Sequence, residues 1–440
     1  MTFLRVAGML GRGGSRAERA RARLIAAGAA LATWFLFGAA NVLALHGQLD
    51  DRLGPIANRG TRPGTAFALG LMMLPIAAFL YQTGRLASAD RERRLAALRL
   101  AGATPAEVRL LGVLQTTRSA ALGTVCGAIA YVLLQWSIRG LLLHLPTTAS
   151  GVPPALGLAA MALVITVATV SGLLAGRHVI TSPLGVTRRA TRRPPGPYVL
   201  LVPVLGCVPM VARFVGVPVP YGPYSLILCA GLIPVGLMLS TSRLVWASAR
   251  IAGRRARSAE TLLAARALEA DARPWGRTMA VLSLAVAIGS GTGWIEAGIM
   301  DQRHTLDPFW LTSFTLVNLA LLVAMAAAAA ALLVHQAEYL MEHGPVLANL
   351  RATGVADGRL RRVLARQGII AAVLPCCIAA LIGFVGLADT GALYNDTWAL
   401  WPVTNAVLMT ALGLLAATLT TRASRRRLGR AVSPGRLRTE

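Results

Sequence analysis

The sequence contains no lysine and little charge of either sign. Of its 440 residues 14% are charged and 55% are hydrophobic, whereas about a quarter of an ordinary soluble domain is charged. A P-loop needs a lysine near the nucleotide phosphates. We therefore expect no ATPase motif, no bound ATP or Mg²⁺ and no enzymatic activity in this chain. The apolar composition instead indicates an all-α protein embedded in a bilayer.

The sequence also lacks any arrangement of residues typical of a metal or redox site. None of the five cysteines forms a C-x-x-C pair, which excludes the usual zinc and dithiol patterns, and buried small hydrophobes are the better interpretation. The histidines have no ligand spacing, and no group of nucleophile, base and acid emerges. We predict no catalytic, cofactor-binding or metal-binding residues. The cysteines are Cys126, Cys207, Cys229, Cys376 and Cys377.

Long apolar runs dominate what is present. Each run is close to the roughly 20 residues that a helix needs to cross a bilayer, and the segments between the runs are too short for a nucleotide-binding domain or a large outer domain. The ten predicted spans are 24–45, 64–84, 117–137, 154–176, 197–215, 222–242, 278–297, 311–335, 367–388 and 399–420.

The basic residues are distributed unequally between the two sets of connecting segments. The formal net charge is +26, which could indicate nucleic-acid binding. However, the arginines lie between apolar spans, and alternate segments hold 38 of the 44. The positive-inside rule places the arginine-rich set in the cytoplasm. We therefore expect a multi-pass plasma-membrane protein with both termini cytoplasmic, the first span an uncleaved signal anchor, and no nucleic-acid partner.

Few polar residues interrupt the spans. No charged residue lies near the centre of a predicted span, which argues against an ion-coupled secondary transporter. Glu296, Arg118 and His335 lie close to span ends, where exposure at the interface is the ordinary explanation. Three asparagines inside spans are expected to form interhelical hydrogen bonds, and three prolines are expected to kink their helices. These are Asn41, Asn318, Asn405, Pro75, Pro234 and Pro375.

Two arginine-bearing segments match when the sequence is shifted by 252 residues. Each follows the second span of a four-span group, so the plan is four, two and four spans, with the two groups in the same orientation. The matching residues are Leu95, Leu98, Arg99, Gly102, Val108, Leu111 and Gln115 in the first copy, and Leu347, Leu350, Arg351, Gly354, Leu360, Val363 and Gln367 in the second.

The first of these segments has clear helix signals. Helix-forming residues lead up to Gly102, which suits a helix C-terminus. Thr104 can then cap a new helix, with Pro105 at its first position and Glu107 completing a capping box. The second copy keeps the glycine and offers Asp357 as the cap. An amphipathic helix on the inner leaflet is one interpretation of such a segment, but its repetition at equivalent places favours a docking surface.

The stretch Asp90–Thr104 resembles the signature segment of FtsX-like (MacB-type) ABC permeases. The exit from the fourth span is also similar to that family, through Gly176-Arg177, Ser182-Pro183-Leu184 and Arg188-Arg189. The second copy departs from the pattern at His343 and Gly344. The plan of ten spans in two repeats resembles a branch of the family linked with peptide-antibiotic resistance and sensing, although no large outer domain is present here.

This resemblance implies a function in transport driven by ATP. The chain would be the permease subunit of a bacterial ABC transporter, and a separate cytoplasmic ATPase, in two copies, would bind ATP and Mg²⁺. Each repeated segment would be a coupling helix that docks on one ATPase. The residues predicted to form this contact are Arg94, Leu95, Leu98, Arg99, Gly102, Leu347, Leu350, Arg351 and Gly354.

The predicted organisation follows the repeats. Residues 1–23 are a cytoplasmic amphipathic segment, and the four-helix groups are joined by two linking spans. The remaining predicted parts are 24–194 for the first group, 195–277 for the linking spans and cytoplasmic linker, 278–421 for the second group and 422–440 for a basic tail. Two other functions stay open, a secondary transporter or lipid-moving protein that needs no ATPase, and a non-transporting regulator that signals to a partner.

Overall fold

The structure, a computed structural model, describes residues 16–46, 56, 59–85, 104–141, 151–180, 196–214, 223–302, 308–386 and 400–431. Over these ranges the regular structure is helical, with no strand. Nine helical segments of the described residues are long and apolar enough to cross a membrane, and one of them, Arg62–Gly84, consists of two successive helices. The prediction of an all-α polytopic membrane protein is confirmed.

The chain divides into two compact units, of which the first comprises Met1–Arg189 and Pro308–Thr315. Its core lies where α1, α3, α4 and α5 meet, and small side chains such as Ala29, Ala32 and Ala120 let these helices approach closely. The helices are α1 (Arg16–Ala44), α2 (Arg62–Leu71), α3 (Met73–Arg85), α4 (Pro105–Leu141) and α5 (Pro154–Ile180).

Proline interrupts the second predicted span of this unit. The helix stops at Leu71, turns at Met72 and resumes at Met73. Pro75 has no N–H to donate to the carbonyl of Leu71, and its ring crowds that carbonyl. The predicted effect of Pro75 is therefore confirmed as a break between α2 and α3. Pro234 and Pro375 instead lie inside uninterrupted helices.

The second unit comprises Ala190–Asp307 and Leu316–Glu440. A 3-10 turn at Pro197–Leu200 precedes its first α-helix, and the helix that begins at Pro308 continues into this unit from Leu316. The helices are α6 (Leu201–Phe214), α7 (Pro223–Arg254), α8 (Ala259–Ala270), α9 (Ala272–Gln302), α10 (Pro308–Glu342), α11 (Gly344–Ala352), α12 (Asp357–Gly386) and α13 (Trp401–Ala431).

The most enclosed span in the second unit is α9, which packs against α7, α12 and α13. The most apolar part of its span is 83% buried, compared with 50% for α1. Such a helix can hold polar side chains out of contact with lipid. This position explains why Ser283, Ser290 and Glu296 are all buried within an apolar stretch.

The second unit repeats the helix order of the first. The helix α4 begins at Pro105 and α12 begins at Asp357, which is the shift of 252 residues found in the sequence. By the same shift, α1 corresponds to α9, α2 and α3 to α10, and α5 to α13. In each unit the first of these helices packs closely on the third, α1 on α4 and α9 on α12.

The fifth predicted span, 197–215, is a shorter helix than the other nine. It is built by the turn at Pro197–Leu200 and by α6, which holds Pro209 in its interior. The count of ten spans therefore stays a prediction, as do the predicted domain boundaries.

Candidate coupling site

The second repeated segment forms the short helix α11, packed between two longer helices. Leu347 is 9% exposed and contacts Leu340 of α10 and Leu360 of α12. Leu350 and Val355 pack against the same cluster. Leu347 therefore anchors the helix to its own unit, and the surface that α11 exposes is formed by other residues.

Gly354 ends α11 because the backbone there has a left-handed conformation, with φ of 93°. The Gly354 N–H donates to the Arg351 carbonyl at 3.0 Å, and the Val355 N–H donates to the Leu350 carbonyl at 3.1 Å. This pair of bonds is the Schellman motif, and Val355 and Leu350 both pack against the apolar cluster of Leu340, Leu347 and Leu360. The predicted glycine break is confirmed in this copy.

Valine and arginine form the exposed side of α11. Val346 is 52% exposed. The Arg351 Nε lies 3.2 Å from Asp357 Oδ1, with both side chains 41% exposed. The sequence predicted that Asp357 precedes α12 and caps it. This prediction is wrong, because Asp357 is the first residue of the helix. Its carboxylate instead pairs with Arg351 across the glycine turn.

Most of the first repeated segment lies outside the described residues. Arg94, Leu95, Leu98, Arg99 and Gly102 are among those not described, so their docking role stays a prediction, as does that of the second copy. The start of α4 that follows them is described.

The capping box predicted at the start of α4 is confirmed. The Thr104 N–H donates to Glu107 Oε2 at 2.8 Å, and the Glu107 N–H donates to Thr104 Oγ1 at 3.3 Å. The Thr104 hydroxyl also donates to Glu107 Oε2 at 2.9 Å. The bonds that the Thr104 backbone N–H and hydroxyl donate to the carboxylate lower the pKa of Glu107. The helix therefore has a fixed start directly after the first segment.

Aromatic and polar side chains lie directly behind α11. The ring of His343, the residue before α11, stacks on Tyr339 at 4.1 Å, and its Nε2 lies 3.5 Å from Asp271 Oδ2. Gln367 of α12 donates from Nε2 to the Tyr339 hydroxyl at 3.2 Å. His335 packs edge-on against Trp275 at 5.0 Å. His343, which departs from the family pattern, thus connects α11 to the end of α8.

The linker between the two predicted linking spans and the second helix group, which we predict to be cytoplasmic, contains a helix, α8, that the sequence reasoning missed. Ser258 caps it through a bond from the Thr261 N–H. Arg366 of α12 donates to Thr261 Oγ1 at 2.8 Å and to the Ser258 hydroxyl. The Glu260 carboxylate lies 3.4 Å from both Arg362 and Arg366. The sequence did contain a signal for the start of α8, namely a serine cap followed by an acidic first turn and helix-forming residues.

The pKa of Glu260 lies below its ordinary value. Its own backbone N–H is the largest cause, and Arg362 and Arg366 contribute further, against an opposing effect of burial. At neutral pH the carboxylate is therefore ionised, which keeps α8 fixed to α12 beside the coupling segment.

The prediction that three asparagines form hydrogen bonds between helices is confirmed. Asn41 donates to the Tyr131 hydroxyl at 3.2 Å and Asn405 to the Gly289 carbonyl at 2.8 Å. Asn318 of α10 donates to Glu296 Oε1 at 3.5 Å. Each bond connects two helices.

The expected interface exposure of three ionisable residues is confirmed for Arg118 only. Glu296 is 6% exposed and His335 is also buried. The expectation for these two was wrong because neighbouring helices, α10 and α13 for Glu296 and α9 for His335, cover the span ends where they lie. The argument that buried charge is lacking therefore does not hold.

The described residues contain no group of three or more histidine, cysteine or acidic side chains that could hold a metal ion. Cys207 and Cys376 are buried, as expected for small core residues, whereas Cys126 and Cys377 are exposed. None of these four cysteines forms a disulfide within the described part of the chain.

Comparison with known proteins identifies the first helix group. Residues 66–184 match the family model described as FtsX-like permease C-terminal. This range begins within α2, covers α3, α4 and α5, and includes the whole first repeated segment. No curated protein matches the chain. Together with the apolar helices, the match shows a multi-pass membrane protein. Through residues 66–184, this chain is similar to the FtsX-like permease family, and the match supports an ABC-type permease at the level of that family.

Proposed function

We propose that this chain is the membrane-spanning subunit of an ABC transporter whose coupling segments dock on a separate ATPase. The packing of α11 carries the proposal. Leu347 touches α10 through Leu340 and α12 through Leu360, so a displacement of α11 reaches two long helices together. Coupling between distant sites travels through packed elements of this kind.

The exposed surface of α11 suits a protein partner. Val346 offers apolar area and Arg351 offers positive charge, a combination found in protein interfaces. An acidic side chain on the partner could compete with Asp357 for Arg351. Because the chain has no lysine for a P-loop, the proposed partner binds ATP and Mg²⁺ and hydrolyses the nucleotide, with one ATPase at each segment.

The distribution of arginine supports the orientation in this proposal. Arg254, Arg255, Arg351 and Arg359 lie where α7 ends, in α11 and where α12 begins, and the positive-inside rule assigns arginine-rich connections of this kind to the cytoplasm of a bacterial plasma membrane. Both termini are then cytoplasmic. The resemblance implies export or peptide-antibiotic resistance as the biological role.

The test is an affinity purification of the tagged chain in mild detergent, followed by mass spectrometry of the proteins that accompany it. We expect an ABC ATPase at two copies per permease. The double variant Arg99→Glu, Arg351→Glu should lose the ATPase while staying folded. Arg351 is 41% exposed, and a substitution at an exposed position changes stability by about 0.5 kcal/mol or less.

Arg266→Glu is the matched control. Arg266 is an exposed arginine of α8 that pairs with Glu269 at 2.8 Å, away from α11. The control should retain the ATPase. If the control and the double variant lose it equally, general charge and not the coupling segments governs the association, and the assigned docking sites are wrong.

The buried Glu296 favours one alternative, a secondary transporter, because ionisable residues inside spans mark ion or substrate pathways. Reconstitution separates the two functions. The ABC permease should move substrate only when the ATPase and ATP are both present, whereas a secondary transporter should work alone and respond to an ion gradient.

A further inference from the structure

Glu296 occupies an unusual position near the end of α9. Its side chain is 6% exposed and lies among three helices. Trp401 of α13 donates from Nε1 to Oε2 at 2.9 Å, and Asn318 of α10 donates from Nδ2 to Oε1 at 3.5 Å. Both donors are neutral. A buried carboxyl group inside a span is costly and by default marks a functional site.

The hydrogen-bonding capacity of this carboxyl group is only partly used. A carboxylate offers about four acceptor positions, and the described residues fill two, one of them by the long bond from Asn318. Among the described residues no cationic side chain pairs with it. A ligand that brings positive charge and N–H donors would complete the site.

The corresponding place in the first helix group shows that the fold does not require this acid. A shift of 252 residues relates Glu296 to Ala44 and Asn318 to Ala66. There, Ala66 packs with Val42 in a purely apolar cluster. The same helix arrangement thus forms with no polar group at these positions, so Glu296 is an addition specific to the second group.

Aromatic side chains lie beside the carboxyl group. Trp401 packs in one cluster with Trp294, Ala297 and Phe384. The rings of Trp294 and Phe384 are 5.0 Å apart. Trp294 is 4% exposed, and within the described residues its indole N–H has no acceptor. Aromatic faces attract organic cations and also accommodate hydrocarbon.

We propose that Glu296 binds the primary ammonium group of an amphiphile, with Trp294, Phe384 and Trp401 against its apolar part. The ligand would enter from the end of α9 opposite Arg273 and Arg277. A primary ammonium ion fits because it brings three N–H donors to the remaining acceptor positions. This binding goes beyond ATPase coupling, so it is testable on the permease alone.

The experiment measures protection of buried carboxyl groups from a hydrophobic carbodiimide. The purified full chain in nanodiscs is labelled with dicyclohexylcarbodiimide, with and without octylammonium, and the labelled peptides are quantified by mass spectrometry. Octanol serves as the neutral probe of equal length. Glu338 of α10, which is also a buried acid, serves as the internal control.

We expect octylammonium to protect Glu296 at a concentration about 10- to 100-fold lower than octanol, the ratio that one charge-assisted hydrogen bond provides. Glu338 should be labelled equally in all samples. Equal protection by the two probes, or equal protection of both acids, would overturn the proposal, as would failure of octylammonium to protect Glu296 at all.

A second measurement uses variants. Octylammonium should raise the melting temperature of the wild type and of Glu338→Gln, and it should leave that of Glu296→Gln unchanged. An undiminished shift in a folded Glu296→Gln protein contradicts the assignment. Should that variant fail to fold, the protection experiment on the wild type decides alone.

Discussion

Both helix groups bring their first and third helices together at glycine, but the polar bonds between those helices differ. In the first group they join two side chains, Asn41 to Tyr131 and Arg21 to Thr116, whereas in the second a serine side chain bonds to the facing backbone. A Cβ at Gly123 or Gly127 of α4 would collide with the backbone of α1 at Ala26 or Ala30. In the second group Gly383 meets α9 in the same manner, and Ser290 adds a hydrogen bond of 2.9 Å to the Ala380 carbonyl. Close approach of small residues packs the spans in both groups, and polar bonds between the helices accompany it.

The two groups also differ in the charge they bury near the ends that the predicted topology places outside. Arg62 in the first group is buried and donates to the backbone carbonyls of Ile56 at 2.8 Å and Leu45 at 2.9 Å. The Leu45 carbonyl follows the end of α1, where helix carbonyls need donors. Arg62 therefore completes a helix end, whereas Glu296 has acceptor capacity left over. The first arrangement is structural, and the second leaves room for a ligand.

Of the substitutions that test this comparison, Gly123→Val should lower the free energy of unfolding most. The new Cβ meets the Ala26 backbone, which cannot move aside as a flexible side chain can. We expect the free energy of unfolding to fall by more than about 3 kcal/mol, at the upper end of the effects of overpacking a core. Unfolding in a denaturing detergent, monitored by tryptophan fluorescence, measures it.

The control for this variant is Gly70→Ala, at a helical glycine of α2 with open space around its Cβ position. It should be neutral or stabilise by up to about 1 kcal/mol. If Gly123→Val is as stable as Gly70→Ala, the close approach of α1 and α4 is not what holds the first group.

The second largest effect is expected for Arg62→Met. The substitution keeps an unbranched side chain but removes both donors, leaving two carbonyls without these bonds. The free energy of unfolding should fall by about 2–4 kcal/mol, as it does when hydrogen bonds to a buried charge are lost. Arg59→Gln, at an exposed position three residues earlier, should stay within about 0.5 kcal/mol. Similar midpoints for the two variants in the same unfolding assay would refute the structural role of Arg62.

Much of this fold was readable from the sequence because its signals are local. Span length and arginine distribution depend on the solvent around each segment and need no knowledge of packing. The Thr104–Glu107 capping box and the stop at Gly354 are likewise determined within a few residues. The break at Pro75 follows from the missing N–H of proline.

Burial of Glu296 and His335 was not predictable in the same way. Both belong to helices that are apolar over most of their length, α9 and α10, so no polar stripe reveals which side faces other helices. Only packing decides that α13 and α10 cover Glu296 and that Trp275 lies against His335. The inward position of Leu347 also depends on contacts with Leu340 and Leu360, which are distant from one another in sequence.

Gly354→Ala tests the coupling segment and should have an intermediate effect. A residue with a Cβ costs about 1–2 kcal/mol in a left-handed conformation. The last turn of α11 should therefore fray, which hydrogen exchange of its amides would detect as faster exchange. Gly358→Ala is the matched control, since its position is open and it lies in the first turn of α12. Unchanged exchange in Gly354→Ala would show that the Schellman turn does not fix the end of α11.

The smallest effect on stability is expected for Glu296→Gln. Glutamine keeps an oxygen that accepts the bond from Trp401, and it removes a carboxyl group from a buried place, so the two changes oppose each other. The free energy of unfolding should change by less than about 1 kcal/mol. The comparison with Arg62→Met in the same unfolding assay is the critical one. A cost for Glu296→Gln equal to that of Arg62→Met would mean that Glu296 also serves to hold its helices. A small cost would mean that the acid is retained for what it binds, since the apolar cluster around Val42 and Ala66 shows that helices in this arrangement pack without it.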